Sequence, residues 1–139
     1  MIDCLILGDS IAVGTHLQRY ECVSYSKGGI NSWQWNQKFG NKDLSANTVI
    51  ISLGSNDHKY VKTYDELLKI RNNVKASRVF WILPYGNLKA SNVDIEAIRI
   101  LIREIAVKFG DAVLPITKIS KDNIHPSWAG YKELAEKTK

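Results

Sequence analysis

The chain has 139 residues, of which 45% are hydrophobic and 24% charged, as in an ordinary globular protein. A chain of this length buries roughly two-thirds of the surface that its unfolded form exposes, so it does not depend on disulfides or a metal to fold. Its net charge of +5 comes from scattered basic residues, which permits an anionic polymer as partner but favours a plain basic, solvated surface. We expect one domain spanning residues 1–139, a monomer with no nucleic-acid partner.

The amino terminus begins with a short apolar run, Met1–Leu7. It has no basic segment before it and stops within the length of a strand, so we expect neither a signal peptide nor a membrane span in it. We expect no membrane contact, and the cytoplasm is the default compartment. Cys4 and Cys22 fall in two successive predicted strands, where two unpaired thiols are expected, although neighbouring strands leave a disulfide geometrically open.

Apolar runs of strand length alternate with helical patterns along the whole chain, which predicts an α/β fold. Most of the strands are continuously apolar, as in a parallel sheet that is covered on both faces. The second strand alternates between apolar and polar residues instead and is expected at the edge of the sheet. The predicted strands are Ile2–Leu7, Cys22–Ser26, Thr48–Leu53, Val79–Leu83 and Ala112–Leu114.

Four helices are predicted between or after these strands. A short one follows Ser10 and a second begins at Thr63, whose hydroxyl can form a capping box with Glu66. The clearest spans Val93 to Phe109, where isoleucines recur at steps of three and four until Gly110. Ser127 opens the last helix. The residues expected to pack from the first helix are Ala12, Val13 and Leu17.

This succession of elements predicts a three-layer α/β/α, flavodoxin-like doubly wound sheet of five parallel strands in the order 2-1-3-4-5. Such sheets bind ligands beyond the carboxyl ends of their strands. Polar segments occur at these positions or before the last helix: Gly8-Asp9-Ser10, Lys27-Gly28-Gly29, Gly54-Ser55-Asn56-Asp57 and Asp122-Asn123-Ile124-His125.

Ser10 and His125 can form a nucleophile and base pair. A serine hydroxyl attacks well only when a base takes its proton, and an imidazole is suited to that at neutral pH. Asp122 stands three residues before His125 and can fold back onto the imidazole Nδ1–H, which fixes the tautomer. Each segment alone also has a plain structural interpretation, since Ser10 could be a helix cap and the Asp122 turn a solvated surface turn.

Acyl transfer also requires hydrogen-bond donors for the developing oxyanion. Asn56 follows a buried strand and can supply a side-chain amide, and the backbone N–H of Ser10 begins a helix. Gly29 can bring its backbone N–H close to a substrate oxygen because it has no Cβ, and Gly28 is an alternative. Read singly, Gly-Ser-Asn-Asp is an ordinary turn and Gly-Gly an ordinary hinge.

Taken together and in order, the four polar segments resemble the four sequence blocks of the GDSL/SGNH hydrolases, across nearly the whole chain. The resemblance implies that Ser10 is the nucleophile, that Asp122 and His125 complete a triad, and that Gly29 and Asn56 join the Ser10 N–H in an oxyanion hole. Asp9 and Asp57 look like the family's supporting carboxylates. Ile11 stands where the family name has leucine, and the Lys27–Trp33 segment follows the second block only loosely.

The shortness of the chain leaves little room for loops that build a deep acyl pocket. The resemblance implies a serine esterase that acts without a cofactor or metal, and the shortness of the chain favours small acyl esters, above all acetyl esters, on a carbohydrate. Alternatives are a lipase-like or thioesterase-like hydrolase of longer acyl chains, and an inactive module that binds glycan.

Three aromatic residues are expected on loops near the site: Trp33, Trp35 and Tyr85. They could stack against sugar rings or pack under the loops. Trp33 and Tyr85 are the candidates for binding substrate. Trp81 is expected in the core. His58 stands beside the Asn56 loop and could touch substrate, although a surface position is expected, and His16 on the first helix has less claim to a role in the site.

Overall fold

The computed structural model describes residues 1–86 and 92–139. Strands and helices alternate over most of this length, so the predicted α/β class is confirmed. The strands are β1 (Ile2–Gly8), β2 (Val23–Ser26), β3 (Leu44–Ser52), β4 (Val74–Lys75), β5 (Arg78–Ile82) and β6 (Ala112–Leu114). The helices are α1 (Ser10–Gln18), α2 (Ser32–Phe39), α3 (Thr63–Asn73), α4 (Ile95–Phe109) and α5 (Trp128–Lys137).

The main sheet is parallel and has the strand order β2-β1-β3-β5-β6, while the two-residue β4 pairs with the start of β3. Apart from β4, this is the predicted order, with β2 at the edge. Gly8 at the end of β1 is in register with both Ser26 of β2 and Ser52 of β3. The three carboxyl ends therefore lie at the same level, and the segments that follow them meet at one edge of the sheet.

The core lies on both faces of the sheet, as three layers require. Along β1 the side chains alternate, with Leu5 and Leu7 in the cluster that contains residues of α2, α3 and α4, and Cys4 and Ile6 in the cluster that contains residues of α1 and α5. All four are buried. This two-sided burial explains why the strand has no polar alternation in its sequence.

Helix α4 agrees with its predicted pattern. Four isoleucines at steps of three and four face the core, and Gly110 ends the helix in the left-handed conformation with φ 72°. Helix α1 packs differently from the prediction, because its buried stripe passes through Ile11, Ala12 and Thr15. Val13 and Leu17 lie on the other side of the helix and are exposed, so their assignment as packing residues was wrong.

Helix α3 begins at Thr63 as predicted, but the capping box is absent. The residue before it, Lys62, occupies the N-cap without a side-chain hydrogen bond. Thr63 Oγ1 donates to Asp57 Oδ2 at 2.8 Å, and the Glu66 carboxylate accepts a hydrogen bond from Asn36 Nδ2 at 2.7 Å. Both side chains make tertiary contacts in place of the local cap.

Helix α2 was not predicted, and the expectation that Trp33 and Trp35 lie on loops was wrong because both belong to it. Asn31 caps the helix in a capping box with Gln34. Trp35 is fully buried and its Nε1 donates to the Tyr25 carbonyl at 2.9 Å, so it supports the core. Trp81 is fully buried as predicted.

A disulfide joins Cys4 to Cys22, so the expectation of two unpaired thiols was wrong. Leu5 of β1 is in register with Val23 of β2. The preceding residues, Cys4 and Cys22, therefore lie side by side at this edge of the sheet. Among the helices that the structure describes, none has the length and apolar character needed to cross a bilayer.

Candidate active site

Ser10 is the first residue of α1 and follows a tight turn at the end of β1. Asp9 caps the helix by accepting the Ile11 backbone N–H at 2.9 Å, and its own N–H donates to the Ser52 carbonyl at 3.0 Å. Gly8 has φ 149°, and a Cβ there would lie 1.9 Å from the Ser52 oxygen. Glycine is therefore required for β1 and β3 to approach so closely, and the approach fixes where Ser10 begins the helix.

The Asp122–His125 turn is organised around the Asp122 carboxylate. Its Oδ1 accepts hydrogen bonds from the backbone N–H groups of Ile124 and His125 at 2.8 and 2.9 Å and from Ser120 Oγ at 2.7 Å. Its Oδ2 lies 2.6 Å from His125 Nδ1. The His125 backbone N–H and imidazole, followed by the Ser120 hydroxyl, hold the pKa of Asp122 well below its usual range. The carboxylate therefore stays ionised at neutral pH.

Ser10 Oγ lies 2.8 Å from His125 Nε2. Because Nδ1 faces a carboxylate, which only accepts hydrogen bonds, we assign the proton of the neutral imidazole to Nδ1 and leave Nε2 as an acceptor. Ser10, His125 and Asp122 thus form a continuous line of hydrogen bonds. Such a line can take the proton from the Ser10 hydroxyl as its oxygen attacks an electrophile.

The loop that follows β5 packs against the turn that carries His125. Gly86 has φ 97°, and a Cβ on it would lie 2.1 Å from the Asn123 carbonyl oxygen. The backbone at Gly86 therefore packs directly on the turn that carries His125. The preceding residue, Tyr85, is 38% exposed, and it is not among the described residues that line the cavity at Ser10.

A cavity of about 710 Å³ opens at Ser10 and His125. Asn56 lines it and donates one amide hydrogen of Nδ2 to the Ile30 carbonyl at 3.1 Å, which fixes the amide and leaves its second hydrogen for a ligand. Gly29 also lines this cavity, with φ 77° and open space where a side chain would stand. Gly28 lines a neighbouring cavity instead. The three predicted donor positions, Ser10, Gly29 and Asn56, thus face one space.

Two buried carboxylates brace the loops around this cavity. Asp57 accepts hydrogen bonds from Ser32 N at 2.9 Å and from the hydroxyls of Ser32 and Thr63, so it links the β3 loop to α2 and α3. Asp9 is fully buried, and its Oδ2 has no hydrogen-bond partner within the described residues. Burial raises the pKa of Asp9 to about 7, against the opposing effect of the Ile11 N–H.

The remaining histidines have other surroundings. His58 is exposed, lines the Ser10 cavity and accepts the Tyr60 backbone N–H through Nδ1 at 3.3 Å. His16 Nε2 lies 2.9 Å from the Cys22 carbonyl, at the opposite end of α1 from Ser10. Cys4, Glu21 and Cys22 also lie close together, but the two thiols are joined in the disulfide and cannot ligate a metal.

Sequence reasoning missed several residues that shape the site. Ser120 donates to Asp122, and Ser32 and Thr63 donate to Asp57. Gln34 also lines the Ser10 cavity. Of these, only Gln34 carried a sequence signal, because it stands three residues after Asn31, the spacing of a capping box.

The sequence matches no protein-family model and no curated protein. Its structure is similar to a GDSL-like lipase from Bacteroides thetaiotaomicron, with a TM-score of 0.70 at 17% identity over 99% of this chain and 89% of the other. The C-terminal catalytic domain of Streptococcus pneumoniae peptidoglycan O-acetyltransferase A gives a TM-score of 0.67 at 17% identity, covering 97% and 89%. The M. smegmatis aryl esterase gives 0.69 at 12% identity, covering 99% and 96%.

These similarities span nearly the full length of the chain at low sequence identity. They establish the fold as that of the GDSL/SGNH hydrolases, in agreement with the resemblance of the four sequence blocks.

Proposed function

We propose that this protein is a serine esterase that hydrolyses small acyl esters, above all acetyl esters, carried on a carbohydrate. The observation that supports this best is the 2.8 Å contact between Ser10 Oγ and His125 Nε2. On the other side of the imidazole, Asp122 Oδ2 lies 2.6 Å from His125 Nδ1. This is the arrangement of nucleophile, base and orienting carboxylate that acyl transfer through a serine requires.

In the first step Ser10 Oγ attacks the carbonyl carbon of the ester while its proton passes to His125 Nε2. The π electrons of the carbonyl move onto its oxygen, which becomes an oxyanion. The tetrahedral intermediate then collapses: the bond to the alcohol oxygen breaks, and His125 returns its proton to that oxygen. Asp122 stays ionised and stabilises the imidazolium that exists between the two transfers.

Three donors can stabilise the oxyanion. The N–H of Ser10 is at the first position of α1 and has no acceptor within the helix, and the helix dipole adds partial positive charge there. Gly29 and Asn56 line the same cavity, and the Gly29 N–H and the second amide hydrogen of Asn56 are the donors they can offer there. Donors fixed in advance cost no reorganisation when the charge forms, which is why they lower the barrier.

In the second step the acyl group leaves Ser10. His125 takes a proton from water, whose oxygen attacks the acyl carbon and gives a second oxyanion in the same place. Collapse breaks the bond to Ser10 Oγ, which recovers its proton from His125 and releases the acid. No cofactor or metal takes part in this scheme.

The small number of aliphatic side chains in the walls of the cavity favours a small acyl group. Of the described residues that line it, only Val93 and Ile124 are aliphatic, and the rest of its apolar wall comes from the carbon atoms of polar residues and of Gly29. A long acyl chain gains about 0.8 kcal/mol per methylene only where the methylene is buried against apolar atoms. The similarity to the catalytic domain of a peptidoglycan O-acetyltransferase also supports an acetyl group on a carbohydrate carrier.

One observation favours a second candidate, a lipase-like or thioesterase-like hydrolase. The cavity volume of about 710 Å³ exceeds what an acetyl group needs, so part of it could receive a longer chain.

The test of the proposed function is labelling with a fluorophosphonate, followed by mass spectrometry of the peptides. A fluorophosphonate reacts with serines that are activated by a base, and we expect a single adduct on Ser10. The control is a Ser10→Ala variant that folds like the wild type. It should give no adduct and no hydrolysis of p-nitrophenyl acetate. A wild-type protein that stays unlabelled while folded would contradict the proposal and favour an inactive glycan-binding module.

A further inference from the structure

A second cavity, of about 580 Å³, lies beside the cavity at Ser10. The two share Asn31, Gln34 and His58 in their walls, so they are adjacent. Trp33 and Tyr60 line only the second one, which we call the aromatic cavity. A ligand whose reacting group is at Ser10 can therefore extend into the aromatic cavity.

The two aromatic side chains of this cavity are exposed and do not serve the core. Trp33 is 52% exposed and Tyr60 80% exposed. Their positions are nevertheless constrained, since Trp33 lies in the capped first turn of α2 and the Tyr60 ring stands edge-on to His58 with the ring centres 6.0 Å apart. Large flat rings held at a cavity offer much contact area at a low cost in conformational entropy.

Polar groups line the same cavity as these rings. Gln34 Oε1 accepts the Asn31 backbone N–H at 2.9 Å, which holds the amide and leaves Nε2 as a donor towards the cavities. Lys62 and Glu66 also line the aromatic cavity. An alkyl chain placed here would desolvate the Gln34 amide and the Lys62 ammonium without giving them partners, which is unfavourable. A sugar ring has apolar C–H faces for the aromatic rings and hydroxyls at its edge for the polar groups.

We propose that the aromatic cavity is the subsite for a pyranose ring of the carbohydrate carrier, on the leaving-group side of the scissile ester. This inference rests on the proposed esterase function and specifies its substrate class as an acylated oligosaccharide or polysaccharide. The alcohol oxygen that His125 protonates then belongs to the ring in this cavity or to its neighbour, while the acyl group occupies the space between Ser10 and Val93.

Substitution of the rings tests the subsite through a ratio of two substrates. In Tyr60→Ala and in Trp33→Ala, we expect kcat/KM for O-acetylated xylotetraose or O-acetylated chitotetraose to fall at least tenfold further than kcat/KM for p-nitrophenyl acetate, which has no sugar. The matched control is Tyr20→Ala, since Tyr20 is 85% exposed on the turn between α1 and β2, at the other end of the sheet. It should leave both rates unchanged. Equal losses on both substrates, which leave the ratio of the two kcat/KM values unchanged, would overturn the proposal.

A binding measurement separates failure of the subsite from failure of the esterase. Saturation-transfer NMR on Ser10→Ala protein should detect both acetylated tetrasaccharides, and adding Tyr60→Ala should weaken that binding at least tenfold. If the fluorophosphonate leaves Ser10 of the wild type unlabelled while tetrasaccharide binding still depends on Tyr60, the esterase function would be overturned and the sugar subsite would stand. Hydrolysis of p-nitrophenyl acetate without binding or cleavage of either tetrasaccharide would overturn the subsite and keep the esterase.

Discussion

Ser10 Oγ and His125 Nε2 lie 2.8 Å apart although 115 positions separate the two residues along the chain. The contact depends on the parallel sheet. Ser10 follows the carboxyl end of β1 at one edge of the sheet, and the segment before α5 places His125 at the same edge. The Asp122 carboxylate then orients the imidazole through a bond of 2.6 Å. The geometry of this pair is thus a property of the whole fold.

The first prediction concerns the orientation of His125. In Asp122→Asn the amide can present its N–H₂ to His125 Nδ1, which favours the tautomer that carries its proton on Nε2 and cannot accept from Ser10. We expect kcat for p-nitrophenyl acetate to fall by about 10²–10⁴ with little change in KM.

The control for this change is Ser120→Ala, which removes one hydrogen bond to the Asp122 carboxylate but leaves its contact with His125. It should lower kcat less than tenfold. An Asp122→Asn protein with wild-type kcat would show that the carboxylate does not orient the base.

The second prediction concerns the oxyanion. Asn56→Ala removes an amide that faces the Ser10 cavity, and we expect kcat to fall by about 10²–10³ while KM changes little. The variant also loses the bond to the Ile30 carbonyl, so circular dichroism and thermal unfolding should accompany the kinetics. A drop in kcat that is matched by loss of folded protein would count against the catalytic explanation.

The position of the site could be predicted from the sequence because it depends on topology alone. Continuous apolar runs indicate buried parallel strands, and parallel strands bring the segments after their carboxyl ends to one edge. Gly8-Asp9-Ser10 lies there for that reason, whereas the segment before Pro126 follows no strand directly and was linked to Ser10 by the resemblance of the four sequence blocks. Neither the 2.8 Å distance nor the contacts of Ser120 and Thr63 were predictable, since they depend on side-chain positions that only the packed structure defines.

Helix α2 and the disulfide were missed for different physical reasons. The helix had a readable signal in Asn31 and Gln34, but buried Ser32 and Asn36 interrupt its apolar face. The disulfide depends on the register of β1 against the edge strand β2, and a half-buried edge strand specifies its register weakly. A shift by one residue would turn Cys22 to the opposite face of the sheet.

The third prediction concerns that disulfide. Cys4 and Cys22 are 18 positions apart, and closing a loop of this length stabilises the folded state by about 3 kcal/mol in the chain-entropy description. Reduction with dithiothreitol should therefore lower Tm by about 10 °C for a domain of this size. A Cys4→Ala/Cys22→Ala protein is the control: its Tm should be low from the start and insensitive to the reductant. Equal Tm values with and without dithiothreitol in the wild type would contradict the prediction.

The fourth prediction concerns the buried carboxyl of Asp9. Burial raises its pKa from 3.8 to about 7, with the Asp57 charge adding to the increase and His125 opposing it. The folded state therefore binds this proton more tightly than the unfolded state, so the contribution to stability is complete below about pH 4 and is lost as the pH rises through 7.

Urea unfolding from pH 4.5 to 7.5 measures this contribution. Relative to Asp9→Asn, which is neutral throughout and keeps an acceptor for the Ile11 N–H, the wild type should lose free energy of unfolding as the pH rises. The control Asp65→Asn changes an exposed carboxylate in the first turn of α3 and should leave the pH dependence of the wild type unaltered. Parallel curves for wild type and Asp9→Asn would refute the assignment.

The fifth prediction separates the two candidate acyl lengths. Val93 and Ile124 offer the only aliphatic contacts among the described residues of the Ser10 cavity, so successive methylenes beyond an acetyl group should gain little. We expect kcat/KM for p-nitrophenyl esters to be highest with acetate and to fall with butyrate and octanoate. In Val93→Ala, kcat/KM for the butyrate ester should fall more than kcat/KM for the acetate ester, because a longer chain reaches further along the wall that Val93 forms. A rate that rises steadily to octanoate would favour the lipase-like hydrolase, since it would mean that the cavity of about 710 Å³ buries the chain.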